Sequence, residues 1–119
     1  MTSFASSSVV KRAKVERVMI TIERQVQKIR RGKWAELEKL NKQFDAVESR
    51  FGFPPKKRYR CWVGGQDVDT LIVEREWESM AAMEAAYSEV MADPEWQALH
   101  VGDHPVIESV QMELYQPLP

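Results

Sequence analysis

Residues 57–77, KRYRCWVGGQDVDTLIVEREW, decide the fold because they contain two strand-like runs on either side of a Gly64-Gly65 turn. Both runs, 57–63 and 70–77, alternate apolar with polar side chains, as half-buried strands do. A Gly-Gly pair between two such runs is typical of a β-hairpin. The side chains expected to face the core are Tyr59, Cys61, Val63, Leu71 and Val73.

Upstream of this hairpin the chain predicts a strand and then a helix. Residues 16–26 alternate, with Ile20 and Ile22 expected on the core side and Glu23 on the other. Apolar residues then recur at steps of three and four between Trp34 and Phe51, which indicates an amphipathic helix. Gly52 and the Pro-Pro pair that follows it end that helix.

Downstream of the hairpin the order is again helix and then strand. A stripe of Met, Tyr and Val side chains from Met80 to Met91 has helical spacing. Asp93-Pro94 predicts a short further helix, with Asp93 as N-cap and Pro94 in its first position. Residues 106–115 alternate and predict a last strand.

The complete order is strand, helix, strand, strand, helix, strand, which predicts an α+β, ferredoxin-like sandwich of one antiparallel sheet under helices. We expect one domain over residues 16–115, because the chain has 119 residues. Residues 1–15 are expected to form a disordered basic tail, and residues 116–119 a C-terminal tail.

The net charge of −1 conceals two halves of opposite sign. Residues 1–60 carry a charge of +10, and residues 61–119 carry −11. The basic side chains are spread over a tail, a strand, a helix and a loop without a recognition motif, so nucleic-acid binding is not expected. The halves are expected to attract each other, within one chain or between two.

Four local motifs stand out: Gly32-Lys33 before a helix with Glu36-Leu37, the Gly64-Gly65 hairpin, Trp77 at a strand end, and residues 93–96, DPEW. Together they resemble the NIPSNAP-like group within the superfamily of dimeric α+β barrel proteins, which includes antibiotic-biosynthesis monooxygenases. The resemblance covers about residues 16–115. It implies a ferredoxin-like protomer whose sheet pairs with that of a second copy, as a homodimer.

The sheet face opposite the predicted core supplies a first candidate site. In a paired-sheet arrangement, this face would line a barrel interior, where charged groups need partners. The functional interpretation is a polar pocket in which Arg60 clamps an anion and an acid acts as base. The structural alternative, an ion-pair network that fixes the dimer register, is favoured. The predicted barrel-interior set is Glu23, Arg60, Trp62, Glu74 and Glu113.

A second candidate site lies between the helices and the sheet. The resemblance implies that an aromatic substrate can be held there, with a His or Tyr donor stabilising its anionic form. His100 and Tyr87 are the candidate catalytic residues, and His100 is the preferred donor. Trp34, Met91 and Trp96 are the candidate pocket residues. Ordinary core packing explains the same residues, and this alternative is favoured.

The sequence favours no metal and no cofactor. His100, Asp103 and His104 lie within five residues, yet such close spacing rarely completes a metal site. No apolar run is long enough to span a membrane. We therefore expect a small cytoplasmic homodimer that binds a small molecule or acts in stress. The alternative is a cofactor-independent monooxygenase acting on a small aromatic or quinone-like molecule.

Overall fold

The computed structural model describes residues 20–119. Four strands and three helices follow one another along the described chain as β1 (Thr21–Ile29), α1 (Trp34–Arg50), β2 (Lys56–Arg60), β3 (Thr70–Trp77), α2 (Met80–Val90), α3 (Pro94–Leu99) and β4 (Ile107–Tyr115). The predicted tail 1–15 and the first residues of the predicted strand 16–26 lie outside the described residues.

The strands form one antiparallel sheet in the order β2-β3-β1-β4. The hairpin strands β2 and β3 are neighbours, and β1 lies between β3 and β4. Each helix connection therefore crosses over one strand, which is the topology of a ferredoxin-like fold. The predicted α+β class and its element order are confirmed.

Local sequence signals set the helix limits. The helix α1 buries Leu37, Leu40, Phe44 and Val47 at helical spacing and stops before Gly52, whose φ of 74° suits glycine. Ser79 caps α2, since its side chain accepts a hydrogen bond from the backbone of Ala82. Asp93 caps α3 in the same way and Pro94 is the first residue of that helix, as predicted.

The hairpin is wider than the sequence predicts. β2 ends at Arg60, and residues 61–69 form a loop in place of a tight Gly-Gly turn. Arg60 donates its Nε–H to the carbonyl of Val68, which holds this loop across its base. Trp62 and Val63 are consequently 83% and 91% exposed, so the predicted core position of Val63 is wrong.

Two buried clusters join the helices to one face of the sheet. We call this face the covered face, and the opposite one, on which Ile22, Tyr59 and Ile72 lie, the open face. The first cluster joins Ile29, Leu71 and Val73 of the sheet to Leu37 and Phe44 of α1. The second surrounds Trp77 and contains Phe53, Val47, Met83 and Val90. Leu71 and Val73 therefore lie on the face predicted for β3.

The predicted faces of β1 and β2 are reversed. Glu23 lies on the covered face beside Tyr87 of α2, whereas Ile22 pairs in register with Glu76 and Tyr115 on the open face. Alternation locates the two faces of a strand, and assigning the apolar face to the core is a further assumption. That assumption fails here because the buried carboxylate of Glu23 has several hydrogen-bond donors around it.

In β2 three of the four basic side chains, Lys56, Arg58 and Arg60, lie on the covered face. Arg58 contacts Asp45 of α1, and Arg60 lies over the ring of Trp34 at 4.1 Å. Tyr59 pairs in register with Ile72 on the open face, where it is 49% exposed. Basic side chains replace apolar ones because α1 presents carboxylates and an aromatic ring to this edge strand.

Candidate ligand-binding cavity between the helices and the sheet

A cavity of about 470 Å³ lies between the covered face and the three helices. Its aromatic wall consists of Phe44, Tyr87, Trp96 and His100, one or two from each helix or its end. Side chains from all four strands, with residues 100–102 and 104 of the segment before β4, contribute to the lining as well. The core clusters therefore leave a space of ligand size unfilled.

On the β1 side of the cavity, two side-chain amides form a chain of hydrogen bonds that ends at a carboxylate. The side-chain NH₂ of Gln27 donates to the Gln25 carbonyl oxygen at 2.8 Å, and the Gln25 NH₂ donates to Glu23 Oε2 at 2.6 Å. Both glutamines line the cavity. Because the carboxylate of Glu23 can only accept, it fixes the direction of the chain.

Glu23 is 2% exposed and is held by three further side chains. Trp77 Nε1–H donates to Oε1 at 2.8 Å, and the Tyr87 hydroxyl donates to Oε2 at 2.7 Å. Arg75 Nη1 lies 3.5 Å from Oε1. Burial and the adjacent carboxylate raise the pKa of Tyr87, so this hydroxyl remains protonated.

Glu48 is a second buried carboxylate, and it pairs with two cations at the cavity wall. Its Oε1 accepts from Arg75 Nη2 at 2.6 Å and lies 2.7 Å from Lys56 Nζ. Arg75 thus bridges two buried carboxylates, Glu23 and Glu48. Burial lowers the pKa of Lys56, and the carboxylate of Glu48 opposes that effect. The two carboxylates, Glu23 and Glu48, are thus balanced by the two cations Arg75 and Lys56.

His100 lies at the end of α3 with one ring face against Trp96. The two ring centroids are 3.6 Å apart, and the edge contact with Phe44 measures 4.9 Å. His100 Nδ1 is 2.8 Å from the carbonyl oxygen of Trp96. A carbonyl only accepts, so we assign the proton to Nδ1, which leaves a lone pair on Nε2. Burial lowers the pKa of His100, which favours this neutral form.

His104 has the opposite tautomer. Its Nδ1 accepts from the backbone N–H groups of Val106 and Ile107 at 3.0 and 3.2 Å, so the proton of the neutral ring is on Nε2. Burial and the positive charge of Arg30 lower its pKa. The cavity therefore has one histidine with an accepting nitrogen and one with a donating nitrogen.

The structure brings together four of the five residues predicted for this site. Tyr87, Met91, Trp96 and His100 line the cavity. Trp34 lies elsewhere, where its Nε1–H donates to Asp69 and its ring packs against the first core cluster. The hydroxyl of Tyr87 and the Nδ1–H of His100 already donate within the protein. In this geometry both residues accept a hydrogen bond from a ligand more readily than they donate one.

The predicted barrel-interior set does not share one face. Glu23 and Arg60 lie on the covered side, and Glu74 and Glu113 lie on the open face. Trp62 lies in the loop after β2. The reversed faces of β1 and β2 are the reason for this division.

Sequence reasoning missed the polar lining that β1 and β2 contribute. Gln25, Gln27, Lys56 and Arg58 line the cavity, and so does His104. The available signal was the spacing of acids in α1. Asp45 and Glu48 are three residues apart and therefore share one helix face, which matches alternate basic positions in β2.

Within residues 20–119, no group of three or more His, Cys, Asp or Glu side chains is placed to hold a metal ion. Asp103 instead pairs with Arg30 at 3.4 Å. None of the helices in this range combines the length and the apolar character that a membrane-spanning segment requires.

The sheet order and the helices packed on one face define a ferredoxin-like α+β fold. No family model and no curated protein sequence matches the chain. Solved structures do match: a NIPSNAP family protein from Agrobacterium tumefaciens is 20% identical with a TM-score of 0.71, over 83% of this chain and 93% of that one. A NIPSNAP-like domain protein from Burkholderia xenovorans is 14% identical with a TM-score of 0.71, over 85% and 87% of the two chains.

A third similar structure is SnoaB, a cofactor-independent oxygenase from Streptomyces nogalater. It is 15% identical with a TM-score of 0.59, over 84% of this chain and 93% of that one. At these identities the likeness concerns the fold. The resemblance to NIPSNAP-like proteins predicted from the sequence is confirmed at that level.

Proposed function

We propose that this protein binds a small, largely aromatic molecule in the cavity between the helices and the covered face. The observation that carries the proposal is the unfilled volume of about 470 Å³. Protein interiors are close-packed, and spaces of this size with apolar walls and a few polar groups are typical of ligand sites. The cavity is partly open to solvent, so a ligand can enter it without disturbing the two core clusters.

The shape of the wall favours a flat ligand. The rings of Trp96 and His100 are stacked at an interplanar angle of 22°, and Phe44 meets His100 edge-on at 70°. Offset stacking and edge contacts are the geometries that aromatic rings prefer. A planar molecule can continue this arrangement and contact Tyr87 on the α2 side of the cavity.

Tryptophan fluorescence tests this proposal directly. Of the four tryptophans, Trp96 lines the cavity and Trp62 is 83% exposed in the hairpin loop. We expect naphthalene derivatives to quench the wild-type protein saturably with one site per chain. The Trp96→Phe variant should lose most of that quenching and Trp62→Phe should keep it. Absence of saturable binding across the panel would refute the proposal.

A second candidate function is cofactor-independent oxygenation in the same cavity. The unprotonated Nε2 of His100 favours it, because removal of an acidic C–H proton from the ligand requires a base of this kind. The resulting carbanion would pass electrons to O₂, converting a CH₂ group to a carbonyl with release of water. The similarity to SnoaB, a cofactor-independent oxygenase, supports this candidate.

We also propose that the chain acts as a homodimer through the open face of the sheet. That face carries the half-exposed side chains of Tyr59 and Tyr115 beside Ile22, whereas Val26 and Ile72 on the same face are already buried. Exposed aromatic side chains on one face of a sheet favour contact with another surface, and two copies can cover each other by a two-fold contact. Sedimentation at low concentration tests this: a stable species of 13.8 kDa would show a monomer.

A further inference from the structure

Four apolar side chains of the cavity lining are about half exposed to solvent. They are Val110 and Met112 of β4, Met91 at the end of α2 and Val101 after α3, with exposed fractions between 47% and 54%. Phe44, in the same lining, is only 8% exposed. The lining therefore passes from a buried aromatic wall to an exposed aliphatic part, which we call the apolar rim.

The register of the sheet separates this rim from the surface proposed for the homodimer. Val110 lies opposite Gln27 and Met112 lies opposite Gln25, so both side chains are on the covered face with those amides. The homodimer would use the open face, on the other side of the sheet. Among the strands of residues 20–119, β4 is at the edge and has β1 as its neighbour. A dimer through the open face therefore leaves the rim exposed.

The chemistry of the rim suits a hydrocarbon chain. Exposed apolar surface next to a cavity is typical of a ligand-binding groove, because covering it removes apolar area from water. Two of the four rim residues are methionines, whose unbranched side chains adapt to the shape of what they contact. Valine offers no hydrogen-bonding group, and the methionine sulfur is only a weak acceptor.

The cavity is also larger than a single aromatic ring requires. An apolar cavity of about 150 Å³ already holds benzene. The volume here is about 470 Å³. A ring that packs against Phe44, Trp96 and His100 therefore leaves space for a substituent. The rim is the part of the lining where the cavity meets solvent, so a long substituent would leave the cavity across it.

We propose that the ligand is an aromatic ring that carries an alkyl chain, with the ring on the aromatic wall and the chain across the apolar rim. This inference rests on the proposed function and adds the chemical class of the ligand. The rim and the wall line one continuous cavity, so a chain attached to the ring reaches the rim without a second binding event. This continuity favours the chain over a second copy of the protein as the group that covers the rim.

Probes of graded chain length test the inference. They are naphthol, ethylnaphthol and butylnaphthol, with the chain on the ring that lacks the hydroxyl. Complete burial of one methylene strengthens binding by about fourfold, and the rim covers a chain on one side only. We therefore expect about twofold per methylene. Calorimetric titration of the full chain should show butylnaphthol binding about tenfold more tightly than naphthol.

Matched variants assign the effect of the chain to the rim. Met112→Gln and Val110→Thr nearly preserve side-chain size but make the rim polar. Each should reduce the ratio of butylnaphthol affinity to naphthol affinity severalfold. Met80→Gln and Val63→Thr are the controls, because those residues are exposed, at 42% and 91%, and do not line the cavity. Both controls should retain the wild-type ratio, and circular dichroism confirms that each variant is folded.

The outcomes distinguish this inference from the proposed function. Equal affinities for naphthol and butylnaphthol overturn the inference and leave the proposed function standing. Failure of every probe to bind overturns both. A ratio that is unchanged in Met112→Gln and Val110→Thr also overturns the inference, because the chain then binds away from the rim. If Met112→Gln leaves the ratio unchanged and weakens self-association in sedimentation, a second copy covers the rim instead.

Discussion

The Tyr87 hydroxyl donates a hydrogen bond of 2.7 Å to Oε2 of Glu23, which joins α2 to the central strand β1 across 64 positions of sequence. The same carboxylate accepts from Trp77 and Gln25. A buried carboxylate is stable only with such partners. The contact thus holds a helix against the sheet and determines the polarity of one side of the cavity.

Removal of the Tyr87 hydroxyl should therefore be measurable as a loss of stability. We expect Tyr87→Phe to lower the free energy of unfolding by about 1–2 kcal/mol, because one hydrogen bond to a buried charged group is lost. Urea unfolding of the variant and of the wild type gives this value, and a loss near zero would contradict the assigned role of Glu23.

Truncation of Glu23 itself should have a larger effect. Glu23→Ala leaves Arg75 with a single buried partner, Glu48, and leaves the donors of Trp77 and Tyr87 without an acceptor. We expect a loss of about 3–5 kcal/mol, as is found when a buried charge pair is broken. Glu95→Ala removes an exposed pair with Arg50, away from the open face, and should cost less than about 1 kcal/mol. Thermal or urea unfolding that ranks these two variants in the opposite order would refute the assignment.

The stability of the protein should decrease in mildly acidic solution. Burial lowers the pKa of His104 below its ordinary value of 6.5, so the unfolded chain takes up the proton first as the pH falls. The contribution of His104 is complete above pH 6.5 and decreases as the pH falls from there through the folded-state pKa. Protonation also removes the Nδ1 acceptor used by Val106 and Ile107.

Replacement of His104 by Asn isolates this contribution. An amide oxygen can accept the same backbone N–H groups and does not titrate in this range. We expect the slope of stability against pH below pH 6.5 to be smaller in His104→Asn than in the wild type. The slope that remains is assigned to His100, whose pKa burial also lowers, and at lower pH to Asp45 and Asp67, whose pKa values the hydrogen bonds of Arg58 and Lys28 lower. An unchanged slope would show that His104 is not buried in its neutral form.

If the cavity carries out oxygenation, His100 should be required for turnover and not for folding. We expect His100→Ala to abolish oxygen consumption with a panel of quinols and to change the melting temperature only slightly, because the residue is at the exposed end of α3. Oxygen-electrode measurements and thermal unfolding provide the two readouts. A large fall in melting temperature together with the loss of activity would instead indicate a packing role with Trp96 and Phe44.

The cap of α3 should affect both stability and ligand affinity. Asp93 accepts a hydrogen bond from the backbone of Trp96 at 3.0 Å and lies 3.5 Å from Arg50. Asp93→Ala should cost about 1 kcal/mol of stability and weaken naphthalene binding, since Trp96 and His100 are on the helix that it caps. Ser79→Ala, the cap of α2, should cost a similar amount of stability. It should have the smaller effect on affinity, and calorimetry can compare the two.

The sequence was sufficient for the element order but not for the orientation of every strand. Thr70–Trp77 and Trp34–Arg50 have strong periodic patterns, and both elements lie where they were predicted. β1 shows the limit of such reasoning, because Glu23 alternates with Ile22 and only tertiary contacts decide which of them faces the helices. Trp77 and Tyr87, far along the chain, supply those contacts.

The candidate site was predicted in the parts that come from helices and missed in the parts that come from strands. Tyr87, Met91 and Trp96 follow from helical spacing and an N-cap. Arg58 could not be assigned to the lining, because its position depends on Asp45 in a different element and on where β2 ends. The cavity itself is a property of packing, which a pattern of apolar and polar residues does not determine.

The lining of the cavity should differ from place to place in how readily it opens. The matched charges of Glu48, Arg75 and Lys56 resist local separation of α1 from the sheet, because that separation would break buried ion pairs. Residues 100–103, between α3 and β4, are exposed, and three of them line the same cavity. Hydrogen exchange should accordingly be slow around Glu48 and fast in residues 100–103, so that a bound ligand would meet one rigid and one mobile part of the lining.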